Sequence, residues 1–227
     1  MSFIDFTKAL QMEGVEGELP QTVFVSLITS LAALGILYAV QLRLLTDFLP
    51  KYGFYLFFAV LTYALILPAM RQVRAYKEFA CMSGMMIGMT IGMVAGFLSG
   101  FYVGATNGMF WGSVFGMSIG ILFGIMNGNC CGIMGAMEGI MACFMGGIMG
   151  AMTAIMMFND NLKAAGVILF LISAVIITGL NYMIHKETKG AERKHKDDEW
   201  FIMFWSLILT TLTTAMMVFG PRSLLLQ

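Results

Sequence analysis

The chain has 227 residues, 59% of them hydrophobic and 11% charged, with thirteen basic and thirteen acidic side chains. This composition excludes a soluble globular domain, and the zero net charge argues against nucleic acid as a partner. The apolar stretches are continuous, not alternating, and reach the ~20 residues a membrane helix needs, so helical spans are expected and not a β-barrel.

Residues 1–19 read as a cytoplasmic segment. Phe3, Phe6 and Leu10 share a helical face opposite Asp5, Thr7 and Lys8, which fits a short interfacial helix or a frayed tail equally. The acids Asp5, Glu13, Glu16 and Glu18 make it a poor secretory signal. A single transmembrane domain is predicted over 20–219, with spans near 20–42, 53–70, 79–103, 107–127, 131–158, 162–184 and 200–219, and a tail at 220–227. Pro20 suits the first turn of span one, and Pro50 with Gly53 divides spans one and two. Asn159, Asp160 and Asn161 form a turn between spans five and six. Lys186–Glu199 is a charged loop before span seven, and its flanking histidines His185 and His195 have no thiolates near them in sequence. With the N-terminus on one side, that side holds Lys8, Arg71, Arg74, Lys77, Lys186, Lys189, Arg193, Lys194 and Lys196. The other side holds only Arg43, Lys51, Lys163 and Arg222. The excess predicts a cytoplasmic N-terminus and an outer C-terminus.

Spans three to five carry a glycine at every fourth residue: Gly84, Gly88, Gly92, Gly96, Gly100, Gly104, Gly108, Gly112, Gly116, Gly120, Gly124, Gly128 and Gly132. Such a step keeps glycines near one helix face and lets backbones approach closely in a membrane. As one helix the run would measure about 74 Å at 1.5 Å per residue. The ~30 Å bilayer core therefore demands breaks, predicted at Ala105–Asn107 and Asn127–Cys131. A step of 4.0 drifts about 40° per repeat against the helix, so the contacting helices must be inclined. The expected fold is all-α, a polytopic transmembrane bundle of about seven spans. Glycine-zipper packing joins three central helices, with the four ordinary spans around them.

Three features carry chemistry. Sixteen of the 23 methionines fall between residues 82 and 157, and span five has no leucine from Gly132 to Met157, so the bias is local and not chain-wide. Met85, Met89 and Met93, then Met137, Met141, Met145 and Met149, follow helical steps. Thioethers select soft ions such as Cu(I), and a ladder of weak neutral ligands suits conduction. The alternative is that methionine fills irregular gaps beside glycines. Cys81, Cys130 and Cys131 would form an inner mouth for the cation, while Cys143 lies deeper in span five. Glu138 is an intramembrane acid able to offset cation charge or carry a proton. No catalytic motif or phosphate loop is present, so no enzymatic activity and no organic cofactor are expected.

The MxxxM steps Met85–Met89, Met89–Met93, Met137–Met141, Met141–Met145 and Met145–Met149, with the GxxxG steps from Gly84 to Gly132, resemble those of the Ctr-type copper transporters. The chain as a whole looks like a Met/Gly-rich multi-pass membrane family, and vicinal Cys130–Cys131 bears a fainter likeness to bacterial mercury-uptake proteins. The Ctr resemblance implies a Met-lined path for Cu(I) in a homo-oligomer. It departs in span number and in lacking a Met-rich outer tail. The sequence thus points to a membrane transporter or channel for a soft cation, with the lipid bilayer, a second copy and a cytoplasmic metallochaperone as partners. The alternatives are an assembly protein whose glycine stripe drives oligomerisation, and a proton or cation channel through Glu138.

Overall fold

A computed structural model describes residues 17–40, 48–76, 79–129, 132–188 and 199–221. Seven helices follow in order: α1 (Glu18–Val40), α2 (Phe48–Tyr76), α3 (Cys81–Asn107), α4 (Met109–Gly128), α5 (Gly132–Met156), α6 (Leu162–Glu187) and α7 (Glu199–Phe219). All seven are long and apolar enough to cross a membrane. The chain is therefore an integral multi-pass helical protein. The proposed interfacial segment Phe3–Gln11, the vicinal pair Cys130–Cys131 and most of the charged loop lie outside the described residues.

The second helix departs most from its predicted limits. Pro50 and Gly53 do not divide spans one and two but lie inside α2. Pro50 falls in the first turn, where its missing N–H has no helical acceptor to lose. At its other end α2 runs on to Tyr76 and takes Arg71 and Arg74 with it. Neither arginine is a loop cation. Arg71 is buried, its Nη2 2.7 Å from Glu18 Oε2 and its Nη1 donating to Thr22 Oγ1 at 2.7 Å. Arg74 lies 4.0 Å over the Phe201 ring of α7.

The break between α3 and α4 falls one residue later than predicted. The helix continues through Asn107 and turns at Gly108, which ends α3 and begins α4 with φ 105°. Gly132 opens α5 with φ 70°. Both values lie where only glycine rests without strain. These two members of the run form the turns at helix ends, and at Gly132 no neighbouring atom stands where a Cβ would lie.

Ten of the remaining glycines interleave. Along α3 and α4 the pairs are Gly88 with Gly128, Gly92 with Gly124, Gly96 with Gly120, Gly100 with Gly116, and Gly104 with Gly112. This is an antiparallel register stepping four residues at a time. A Cβ on Gly112 would lie 2.5 Å from Gly104 Cα, and one on Gly88 2.7 Å from Gly128 Cα. On α5 the stripe changes phase after the turn and continues as Gly135, Gly139, Cys143, Gly147 and Ala151. Gly135 meets Gly128, Gly139 meets Gly124, and Ala151 meets Gly104 of α3. In many of these pairs the hydrogen that a Cβ would replace points at a carbonyl of the next helix. Gly116 faces Gly96 O, Gly100 faces Gly147 O, and Gly124 and Gly139 face each other's carbonyls. Such Cα–H···O contacts are worth about 0.5–1 kcal/mol each, and they recur along the whole interface. Close backbone packing replaces the side-chain burial that lipid cannot reward.

The other four helices do not surround this trio. The α5 helix rests on α3 and α4, while α1, α2, α6 and α7 pack on the far side, with α2 touching α1, α3, α6 and α7. The large-residue core sits between α2 and α3, around Leu56, Tyr63, Leu67, Ile91, Leu98 and Phe101. The small face of α5 is fully engaged, so its opposite face is left at the edge of the molecule.

Candidate functional site: the methionine face

The glycine stripes fix where the methionines go. A helix that turns its small residues inward must turn the intervening positions out. On α5, Met134, Met137, Met141, Met145, Met149, Met152 and Met156 are all exposed, from 43% at Met152 to 73% at Met156. On α3, Met82, Met86, Met89 and Met93 are exposed and Met85 is half-buried. None of these α5 methionines fills a gap beside a glycine. The gap-filling role expected of a flexible side chain falls to Cys143, which is fully buried. Its Sγ occupies the notch between Gly92 and Gly124. Cys143 is therefore a packing residue, held between α3 and α4.

The two methionine rows lie on neighbouring parallel helices. Gly146 packs on Met93 and Gly150 on Phe97, so the row Met85–Met89–Met93 borders α5 directly. The same register, carried two turns toward the N-terminal ends, sets Met85 level with Glu138. Glu138 is half-buried on α5, and among the described residues no hydrogen bond or ion pair joins its carboxylate to another side chain. Met134, Met137, Met141 and Met145 lie within one or two turns of it.

Beyond the α3 row the surface dips. A groove of about 440 Å³ runs between α3 and α6, lined by Met86, Met89, Met93 and Phe97 on one wall and by Ile172 and Ile176 on the other. Near one end of the groove Ser83 Oγ donates to Glu187 Oε1 at 2.5 Å, tying the start of α3 to the end of α6. Cys81 is exposed at the same end. Because α3 and α5 run parallel, Cys81 and the start of α5, next in sequence to Cys131, belong to the same side of the bundle. Among the described residues no group of three or more His, Cys, Asp or Glu side chains could hold a metal ion. Any soft-ion site among them would have to be built from thioethers, with at most isolated anionic help.

Not singled out by the sequence were the ion pair of partly exposed Glu18 with buried Arg71 and the hydroxyl groups inside α1, α2 and α7. Thr22, Ser26, Ser30, Ser206, Thr210 and Thr213 are all buried. The signal available was the four-residue spacing of Thr22, Ser26 and Ser30, a polar stripe on an otherwise apolar helix.

No family model matches the chain, and no curated protein or solved structure matches it.

Proposed function

We propose that the chain is a membrane transporter of a soft monovalent cation, Cu(I) being the best chemical fit, and that the methionine face is its conducting surface. The observation that supports this reading is the exposure of the methionines. Gap-filling would put them against the glycines; Met93 does lie against Gly146, but the α5 methionines stand on the face of that helix opposite its small residues. A plain lipid-facing surface needs no sulfur, and α6, also exposed along much of its length, uses Leu, Ile and Val there. Thioethers in helical steps offer successive weak sites for a soft ion. Glu138 would offset the cation charge near the inner half of the path, and Cys81, Cys130 and Cys131 would receive or release the ion at the inner mouth.

One face alone does not enclose an ion. A second copy of the chain, meeting the first along α5, would complete a thioether-lined path. Oligomerisation would then run through the methionine face, because the glycine stripes are occupied within one chain. The test is flux of Ag(I) and Cu(I) into vesicles holding the purified protein, with K⁺ as the control ion. Selective soft-ion flux is expected. A folded protein that passes neither soft ion would overturn the reading and leave the methionines as lipid-facing surface.

A further inference from the structure

The second polar feature lies at the opposite side of the molecule, where α1, α2 and α7 contact one another. The α1 helix turns its apolar side chains outward and buries Thr22, Ser26 and Ser30, with Leu19 and Ala33 at the ends of the stripe. The α7 helix answers with buried Ser206, Thr210 and Thr213. The two stripes meet at a 2.7 Å hydrogen bond between Thr29 Oγ1 and Ser206 Oγ.

Both ends of this seam are marked. At the inner end stands the Glu18–Arg71 pair with Thr22, where Glu18 is one-quarter exposed. Toward the outer end the Tyr63 hydroxyl lies beside Thr213, and Thr62 shares a 3.2 Å hydrogen bond with Tyr102. At the limit Asn107 Nδ2 donates to Met216 O at 2.7 Å. Polar groups thus recur from one end of the bundle to the other.

Several of them are unsatisfied. Ser26 Oγ, Ser30 Oγ, Arg71 Nε and Asn107 Oδ1 have no hydrogen-bond partner. Ser26 and Ser30 are wholly buried. A serine in a membrane helix ordinarily returns its proton to the carbonyl four residues back, as Thr22 does to Glu18 O at 2.7 Å. Ser26 and Ser30 do not. An unpaired hydroxyl in hydrocarbon is costly, and buried polar groups take water where protein offers no partner. Ionisable and polar groups lining a membrane interior mark proton and ion paths.

We infer that the α1–α2–α7 seam is a hydrated proton path, with Glu18 as its inner acceptor. Water is the co-reactant. A proton entering at the outer end bonds to a water or hydroxyl oxygen, which releases a different proton to the next oxygen along. Each relay group ends as it began. At the inner end the Glu18 carboxylate takes the proton, leaves Arg71, and regains Arg71 on releasing it to solution. The titratable or charged groups along the seam are Glu18 of α1, Arg71 and Tyr63 of α2, and Tyr102 of α3, which meets Thr62. The described part of α7 contributes Ser and Thr, and Arg74 is held on Phe201. This inference does not depend on the methionine reading.

The test uses the full chain in lipid vesicles with an entrapped pH dye and an imposed pH gradient. The potential is clamped by K⁺ and valinomycin, and no metal is added. Proton influx well above that of empty vesicles is expected. It should fall severalfold in Ser26→Ala/Ser30→Ala and in Glu18→Gln, and stay unchanged in Thr178→Val on the exposed face of α6. Melting of the serine variant gives a second readout. Hydroxyls bonded to water stabilise the fold, so their loss should lower the melting temperature; loss of unpaired hydroxyls would leave it equal or higher. If the double variant does not fold, Ser30→Ala alone is read in the same way. Influx no greater than in empty vesicles, influx indifferent to the seam variants, or an unchanged or raised melting temperature would overturn the proposal.

Discussion

The two faces of α5 are one helix read twice. Inward it presents Gly135, Gly139, Cys143, Gly147 and Ala151, none larger than a thiol, and all buried. Outward it presents seven methionines, all exposed. The α1 helix makes the reverse choice of chemistry, with hydroxyls inward and ordinary apolar side chains such as Phe24, Ile28 and Ile36 outward. Lipid removes the usual reason to bury large apolar residues, so each helix can be held by whatever gives close contact or hydrogen bonds. On α5 that is bare backbone, and on α1 it is a polar stripe. The residue types left outside are then free to serve another purpose. On α1 they are generic, whereas on α5 they are mostly methionine, with Ile133 and Phe144 beside them.

The contrast is most easily broken from the inside of the glycine trio. Gly112→Leu drives a branched side chain into Gly104 backbone, where even a Cβ would lie 2.5 Å from Cα. Nothing flexible lies there to give way. The expected loss exceeds about 3 kcal/mol, the upper range for overpacking, and is read as loss of monodisperse folded protein in detergent. A folded, stable Gly112→Leu would mean that α3 and α4 are not in backbone contact.

A smaller effect is expected on the α1 side. Arg71→Leu removes the partner of Glu18 and the donor to Thr22. A fully buried pair broken in this way costs about 3–5 kcal/mol. Glu18 keeps some contact with water, so about 2 kcal/mol is expected, seen as a lowered melting temperature. The double variant Glu18→Gln/Arg71→Leu should recover part of that loss, and no recovery would show that the two residues act separately.

The thiols sharpen the comparison without a mutation. Cys143 is fully buried between Gly92 and Gly124, whereas Cys81 is exposed. A membrane-impermeant maleimide should label Cys81 from the cytoplasmic side and leave Cys143 untouched until the protein is unfolded. Mass spectrometry of labelled peptides reads both sites. Labelling of Cys81 from the outer side would reverse the proposed orientation, and rapid labelling of Cys143 would mean that the notch opens.

Much of this architecture was legible in the residues. The seven spans show because continuous hydropathy over ~20 residues has few other meanings. The α3–α4 contact shows because a four-residue glycine step can serve close helix packing, and the run was too long for one helix. The phase change at Gly132 was harder to see, because the step from Gly132 to Gly135 breaks the period where the chain turns. Which face the methionines take followed only once the glycines on α5 were known to lie inward. The hydroxyl seam stayed hidden for another reason. Single serines and threonines barely lower hydropathy, and they commonly satisfy themselves on their own helix. Only the three-dimensional neighbours separate Thr22, which bonds its own helix, from Ser26 and Ser30, which do not. Arg71 was misread because it stands just past the apolar core of α2, where a loop and a last helical turn look alike.

The smallest expected change in stability comes with the largest expected change in function. Replacing Met137, Met141, Met145 and Met149 together by leucine touches no glycine contact. Each exposed change should move stability by no more than about 0.5 kcal/mol. Ag(I) flux into vesicles, measured beside a melting curve for the same preparation, tests this directly. The expected result is a near-unchanged melting temperature with soft-ion flux reduced to the level of empty vesicles. Undiminished Ag(I) flux through the leucine-faced protein would contradict a conducting role for the methionine face.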